Sequence, residues 1–416
     1  MNRLPSAPLR ALWFLLVTLG LGLILLLLFA TLEQRPLETE ALRYFPAEML
    51  EQGRRFTREA RLAGSLQSIA SLGLMLALCF HPAGCRLLTW LEERGRGRLW
   101  PGLICVALGI GLLGFLVELP FAFYLGHLHE KAYGLTRQSA GGWLSDHLIR
   151  LATNLGLSLL FWLPLYWLIR RSPRGWWLPA TVVTAGLSAL LTALYPVVLM
   201  PLFNEVRPVQ DPQVIAMIHR LADRAGVKVE QVRELRVSDK STRVNAMVTG
   251  LGPTKQVVLY NTLTQQLSPV EVEVVLAHEL AHAVHGDLLT SWMLHTALGG
   301  LSLALAAWML REMQGVAPLN LPAPHAARGL ALLLLFFSLF DTLSAPAQNT
   351  LSRRMEVRAD QYALTLTQNP RAVVSSFQKL AMANPGDVSP PPVVEFLSHS
   401  HPSILNRIRQ ALRGVR

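Results

Sequence analysis

The stretch Leu276–Asp287 reads LAHELAHAVHGD, with His278 and His282 four residues apart and Glu279 directly after the first. Residues four apart in a helix lie on one face, so the two imidazoles can hold one metal ion from adjacent turns. Zinc suits such a pair, and Glu279 beside it is placed to take a proton from water. The five-position pattern is short enough to arise by chance, so its setting matters. Ser268, Pro269 and Glu271 supply an N-cap, a proline at the first helical position and a capping-box partner, which starts a helix about ten residues upstream. A purely structural zinc would fill all four positions with Cys and His, and no cysteine lies near this segment.

A catalytic zinc takes three protein ligands and leaves a fourth position open. His285 shares the helical face but lies about two turns from His278 at a rise of about 1.5 Å per residue, too far to share one ion with both histidines. The other candidate is Glu356 in Ser352–Ala363, SRRMEVRADQYA, which reads as a separate helix. Asp360, four residues on, could fix the tautomer of a ligand imidazole by accepting its N–H. A solvated charged helix carrying Arg353, Arg354 and Arg358 accounts for the same stretch equally well.

The elements that must hold these residues are largely apolar. Of 416 residues, 51% are hydrophobic and 16% charged, against roughly 25% charged in a soluble domain. This excludes intrinsic disorder and a wholly soluble protein. Apolar runs near residues 11–32, 62–80, 101–126, 149–169, 177–203, 288–310 and 327–351 are each long enough to cross a bilayer, giving seven expected spans. His295, Asn154 and Asp341 fall within them, and polar groups at that depth need protein or a wet cavity, so the spans are expected to enclose a chamber. The net charge of +11 comes from arginines concentrated at the ends of apolar runs, the membrane-protein pattern, and nucleic acid is not an expected partner. Cys79, Cys85 and Cys105 have no ligand spacing and read as buried free thiols.

HELAH, then HGD, then RRMEVRADQYA about 70 residues later, together resemble the integral-membrane zinc metallopeptidases typified by type I prenyl endopeptidases, the CAAX prenyl protease 1 family. The resemblance extends to Glu130–Ser139 (EKAYGLTRQS), Leu199–Val209 (LMPLFNEVRPV), Ser241–Gly252 (STRVNAMVTGLG) and Ser400–Ile408 (SHPSILNRI), so it covers essentially the whole chain. It implies Glu356 as third ligand of a single zinc and Asp360 as its neighbour's partner. It implies an extended substrate on a strand edge at Asn245 and Ala246, and His401 and Arg407 near the catalytic centre as oxyanion-stabilising or orienting groups. Asn406 and Val357 depart from the family pattern, which has Glu and an aromatic there, and neither position is a ligand.

The expected architecture is a mainly α-helical multi-pass membrane protein with a gluzincin-like α/β zinc metallopeptidase domain. Its expected parts are residues 1–203 with five spans, 204–287 as the first part of the peptidase, 288–351 with two more spans, and 352–416 as the remainder, the catalytic helix running directly through Asp287 into the sixth span. The expected activity is endopeptidase hydrolysis in which zinc activates water and Glu279 is the general base. The partners implied are the bilayer and a peptide or protein substrate, lipidated or membrane-associated. A broad quality-control protease shares this chemistry; a non-enzymatic metal-binding scaffold would have no need of Glu279. The compact, arginine-rich chain suggests a bacterial inner membrane. Arginines nearly balance across the spans, and the resemblance implies a cytosolic catalytic face.

Overall fold

The computed structural model describes residues 4–413 except 34, 230, 252 and 253; Gly252 of the expected strand motif therefore lies outside the described residues. Among them, seven helices are long and apolar enough to cross a membrane, at the seven expected places. The larger helices are α1 (Ala7–Leu32), α2 (Ala47–Phe80), α3 (Pro82–Glu93), α4 (Leu99–Phe123), α5 (Ala140–Arg171), α6 (Trp177–Leu194), α7 (Pro212–Ala225), α8 (Pro269–His285), α9 (Asp287–Glu312), α10 (Gly329–Thr367), α11 (Pro370–Ala383), α12 (Pro392–Ser398) and α13 (Ile404–Arg413). The spanning helices touch in a closed ring, α1, α2, α4, α5, α6, α9, α10 and back to α1.

One end of the ring is dry. Leu9, Leu78, Leu103, Ile169, Leu310 and Leu333 belong to one buried cluster there, together with the fully buried Tyr166 and Trp176. Toward the other end the helices open out, and only 6% of the most apolar window of Trp177–Phe203 and 11% of that of Ala140–Arg171 is buried. A dry bundle would bury one face of every helix. Here most of the helix surface is uncovered, as it is where helices face lipid. Asn154 lines a recess of about 360 Å³ with Glu118, His147 and Arg150, while His295 and Asp341 are exposed. Charges at that depth cannot face hydrocarbon, and the expected wet chamber is where they would be accommodated.

A small α/β layer closes the open end. Strands β1 (Glu205–Pro208), β2 (Gln231–Arg236), β3 (Ala246–Thr249) and β4 (Gln256–Tyr260) run in the order β1-β2-β4-β3, with only the β2–β4 pair parallel. Helices α7 and α8 pack against each other, and their apolar faces bury Ile218, Leu221, Leu276 and Leu280 with Val257 and Leu259 of β4. The strand at Ala246 is an edge. Tyr260 N donates to Asn245 O, so the alternation of an antiparallel ladder turns the N–H and C=O groups of Ala246 and Val248 away from β4.

Two helix boundaries differ from the sequence reading. Ser352–Ala363 is no separate helix but part of α10, which runs unbroken for 39 residues through Pro346. A single proline removes one N–H, and the flanking turns hold, with Thr350 Oγ1 donating to the Pro346 carbonyl at 2.7 Å. Conversely, α8 does not continue directly into the sixth span: Gly286, at φ +66°, caps α8 on the His282 carbonyl and α9 starts afresh at Asp287. A side chain is strained at that φ, which explains the glycine. Cys79 and Cys85 are buried free thiols and Cys105 is half-buried.

The start of α8 is tied down electrostatically. Glu271 accepts from Ser268 N at 2.8 Å and lies 2.7 Å from Lys379 Nζ. Burial opposes its charge, but Lys379 and Ser268 outweigh burial and hold the carboxyl down at about 2. A depressed folded-state value means stability present at neutral pH and lost as pH falls from the ordinary 4.5 toward 2. We expect Glu271→Gln to cost roughly 1–3 kcal/mol at pH 7 and to flatten the fall in melting temperature between about pH 5 and pH 3, measured in detergent.

Candidate metal centre

Helices α8 and α10 pack closely because small residues line the contact: Ala277, Ala281, Ala359 and Ala363 are each no more than 1% exposed. The i, i+4 spacing then sets His278 Nε2 and His282 Nε2 3.3 Å apart. Glu356 enters from α10 with Oε2 3.2 Å from His278 Nε2 and Oε1 3.5 Å from His282 Nε2. One donor atom from each of the three residues lies within 4.8 Å of the others.

Each imidazole is braced from behind by an aspartate, itself held by an arginine. His278 Nδ1 lies 2.8 Å from Asp360 Oδ1, and Arg407 grips both Asp360 oxygens, Nη2 at 2.6 Å and Nε at 2.8 Å. His282 Nδ1 lies 2.8 Å from Asp287 Oδ2, and Arg358 donates to the other Asp287 oxygen. With each Nδ1 proton committed to a carboxylate, the Nε2 lone pairs face each other and Glu356, whose buried Oε2 has no hydrogen-bond partner. Lone pairs at that separation repel unless a cation lies among them. The donor set therefore fits a metal ion, and two imidazoles with one carboxylate suit zinc. The surroundings favour positive charge: burial opposes it, yet Asp360 and Glu356 outweigh burial and raise the His278 pKa, and a metal ion at Nε2 would take the place of the proton so attracted.

Glu279 sits on the next position of α8, where burial pushes its carboxyl above the usual value against the pull of His278, His282 and the Val248 N–H. That N–H is one of the two outward donors of the β3 edge, so the carboxylate and the strand meet at the metal-binding cluster. A raised carboxyl poised to accept a proton is what general-base chemistry near neutral pH requires.

The other expected residues divide. His401 reaches the cluster, its Nε2 3.3 Å from Glu356 Oε1; burial holds its pKa below the usual value, with Glu356 opposing. It also lines a groove of about 720 Å³ with Asn245, Tyr260 and Asn384, so Asn245 and His401 face the same space. Ala246 is buried in the strand, only its main chain facing the edge. Arg407 lies behind His278, its guanidinium on Asp360, 3.4 Å from His278 Nδ1, over the Phe377 ring at 4.5 Å and 3.9 Å from Glu356. From there it orients Asp360 and the His278 ring. His285 packs edge-on against Tyr362, away from the cluster. The sequence reading missed Asp287 and Arg358. The signal was the HGD tripeptide: a glycine able to reverse the chain, followed at once by an acid.

Two family models tile the chain: the N-terminal domain of CAAX prenyl proteases, with five membrane helices, matches residues 27–205, and peptidase family M48 matches residues 208–415. A metalloprotease of Bacillus subtilis named as uncharacterized, YhfN, is 33% identical over 317 residues, covering 73% of this chain and 71% of that protein. The chain belongs to peptidase family M48. It is thus a membrane-embedded metallopeptidase. The CAAX prenyl protease 1 homolog of Dictyostelium discoideum is 27% identical over 70% of this chain and 68% of its own. The crystal structure of S. mikatae Ste24p shares the fold, with a TM-score of 0.83 over 98% of this chain and 100% of that one, at 20% identity.

The braces carry an expectation of their own. Asp287→Asn and Asp360→Asn should each weaken metal affinity about 10- to 100-fold, because an amide neither fixes the Nδ1–H tautomer nor raises ligand basicity. Competition with a chromogenic chelator measures it; unchanged affinity in both would contradict the bracing.

Proposed function

We propose that the chain is a single-zinc endopeptidase with His278, His282 and Glu356 as ligands and Glu279 as general base. The observation that carries this is the meeting, at one point, of two imidazole Nε2 atoms, a buried carboxylate and the outward edge of β3. Zinc held there supplies a Lewis acid that polarises the scissile carbonyl and makes water a stronger acid. Glu279 takes the proton from the attacking water and returns it to the leaving amine. His401, a neutral imidazole on the open side of Glu356, donates to the developing oxyanion. Asp287 and Asp360 hold the ligand rings, with Arg358 and Arg407 behind them.

Substrate lies extended along β3 and pairs main chain to main chain with Ala246, whose N–H it takes over from Asn245 Oδ1, and with the Val248 carbonyl, which gives affinity with little side-chain selectivity. An apolar pocket of about 460 Å³, lined by Val248, Leu251, His282, Leu289 and Trp292, adjoins the cluster and lies against α6 and α9. It suits an apolar side chain or hydrocarbon reaching the site from the membrane, so the substrate we propose is membrane-associated, the prenylated proteins that the relatives' names point to being one class. We place the protein in a bacterial inner membrane with its catalytic face in the cytosol, on the likeness to the relatives; a reporter fused after α13 that is active only in the cytosol would test the side.

The activity is tested with a peptide of apolar sequence and the purified protein in lipid nanodiscs. Cleavage should stop on addition of 1,10-phenanthroline, and the same peptide N-methylated at the residues flanking the bond should resist cleavage. Persistent cleavage in chelator would sink the metal assignment. Ala246→Pro removes an outward N–H from an edge strand without breaking the β4 ladder. It should slow cleavage of unrelated peptides alike, about tenfold for one lost main-chain bond of about 1.4 kcal/mol, with metal content unchanged; selective loss on one peptide would argue against edge binding.

A further inference from the structure

A second cavity, of about 520 Å³, lies where α1 and α2 leave the apolar layer, away from the reacting centre. Ala30 and Thr31, at the end of the α1 apolar run, line one side, and Arg54, Arg55, Arg58 and Arg61 of α2 line the other. The apolar stretch of α2 starts at Leu62. Arg61 therefore stands at the hydrocarbon boundary, and Arg58 and Arg54 follow it outward on one helical stripe over about 10 Å, the depth of a headgroup layer. Arg35 adds a fifth guanidinium, against three carboxylates, Glu33, Glu51 and Asp387.

Apart from the Arg55–Glu59 pair and a long Arg54–Asp387 contact, the hydrogen bonds inside this cavity satisfy donors without neutralising charge. Arg54 donates to the carbonyls of Arg35 and Pro36 and stays 3.9 Å from Asp387. Arg35 donates to the Ser389 carbonyl. Arg61 Nη2 lies 3.1 Å from His399 Nε2, and burial with Arg61 and Arg353 lowers the His399 pKa to about 4, so that imidazole is neutral and accepts. Arg55 pairs with Glu59, and Arg58 makes no ion pair among the described residues. Toward the membrane centre the same two helices expose Leu26, Phe29 and Leu66. A positive crevice above an apolar, uncovered surface is complementary to a molecule with a phosphate at one end and hydrocarbon at the other.

We propose that this crevice is a binding site for an anionic phospholipid, its phosphate between Arg58 and Arg61 and its acyl chains along Leu26, Phe29 and Leu66. Inorganic phosphate shares the headgroup chemistry but would leave that apolar surface uncovered. Arg61 touches His399, two residues before His401, so the lipid also abuts the segment that carries His401 to the metal-binding cluster.

Native mass spectrometry of the protein in nanodiscs tests this, with phosphatidylglycerol and phosphatidylcholine in equal amounts. Phosphatidylglycerol should be retained preferentially, and Arg58→Gln/Arg61→Gln should lower that preference about thirtyfold, at roughly five- to sixfold per charge. Arg58→Lys/Arg61→Lys should keep most of it, and a monodisperse elution profile with normal metal content checks that both variants fold. Equal retention of the two lipids, or an undiminished preference in the glutamine variant, would overturn the site. Displacement of the lipid by millimolar inorganic phosphate would overturn its assignment to a lipid.

Discussion

Glu279→Gln protein should keep its metal and its fold and hydrolyse peptide at least a thousandfold more slowly than the parent. The amide has the carboxylate's shape and can still accept the Val248 N–H, whose pull on Glu279 marks their contact. It cannot take a proton from water, and a positioned general base contributes about 10²- to 10⁴-fold, the proton's return to the amine adding to the loss. The check is paired: peptide cleavage by mass spectrometry and metal content by elemental analysis on the same preparation. A variant that cleaves at the parent's rate with full metal would remove Glu279 from the mechanism.

Loss of a ligand should act on the other readout. In Glu356→Ala the two Nε2 atoms, 3.3 Å apart, keep their braces but lose the carboxylate that completes the triangle. Zinc content should fall from near one equivalent to a small fraction after dialysis, and activity should fall with it. His278→Ala should do the same and also leave Asp360 and Arg407 facing a void. Full retention of metal by Glu356→Ala would exclude it as a ligand and turn attention to His401, whose Nε2 lies 3.3 Å from Glu356 Oε1. Because Glu279→Gln loses activity with metal in place, while Glu356→Ala loses both, the two variants separate base from ligand.

The parts legible in the sequence were those written in local periodicity. The seven apolar runs and the capping box at Ser268 and Glu271 recur in the structure where the spacing put them. His278 and His282 needed only a helix to bring them together. Glu356 was ambiguous because its partner helix lies about 70 residues away, and no periodicity says which face of α10 meets α8. Resemblance, not spacing, singled it out. The continuity of α10 was missed because a shift from apolar to charged residues near Ser352 looks like a boundary, although it is only the place where one helix leaves the membrane. Asp287 was missed for the opposite reason: it looked like the first residue of a span, and only the positive φ at Gly286 turns it back to His282. Arg407 was expected near the centre on resemblance alone, and no spacing in the sequence says that its guanidinium grips both oxygens of Asp360.

The central claim is that this cluster makes peptide hydrolysis depend on one zinc ion. Metal-stripped protein titrated with zinc, with initial cleavage rate followed at each addition, tests it most directly. The rate should start near zero, rise linearly and level off at one equivalent, and the same titration of Glu356→Ala should stay flat. Metal-free protein that cleaves as fast as the loaded form would contradict the claim.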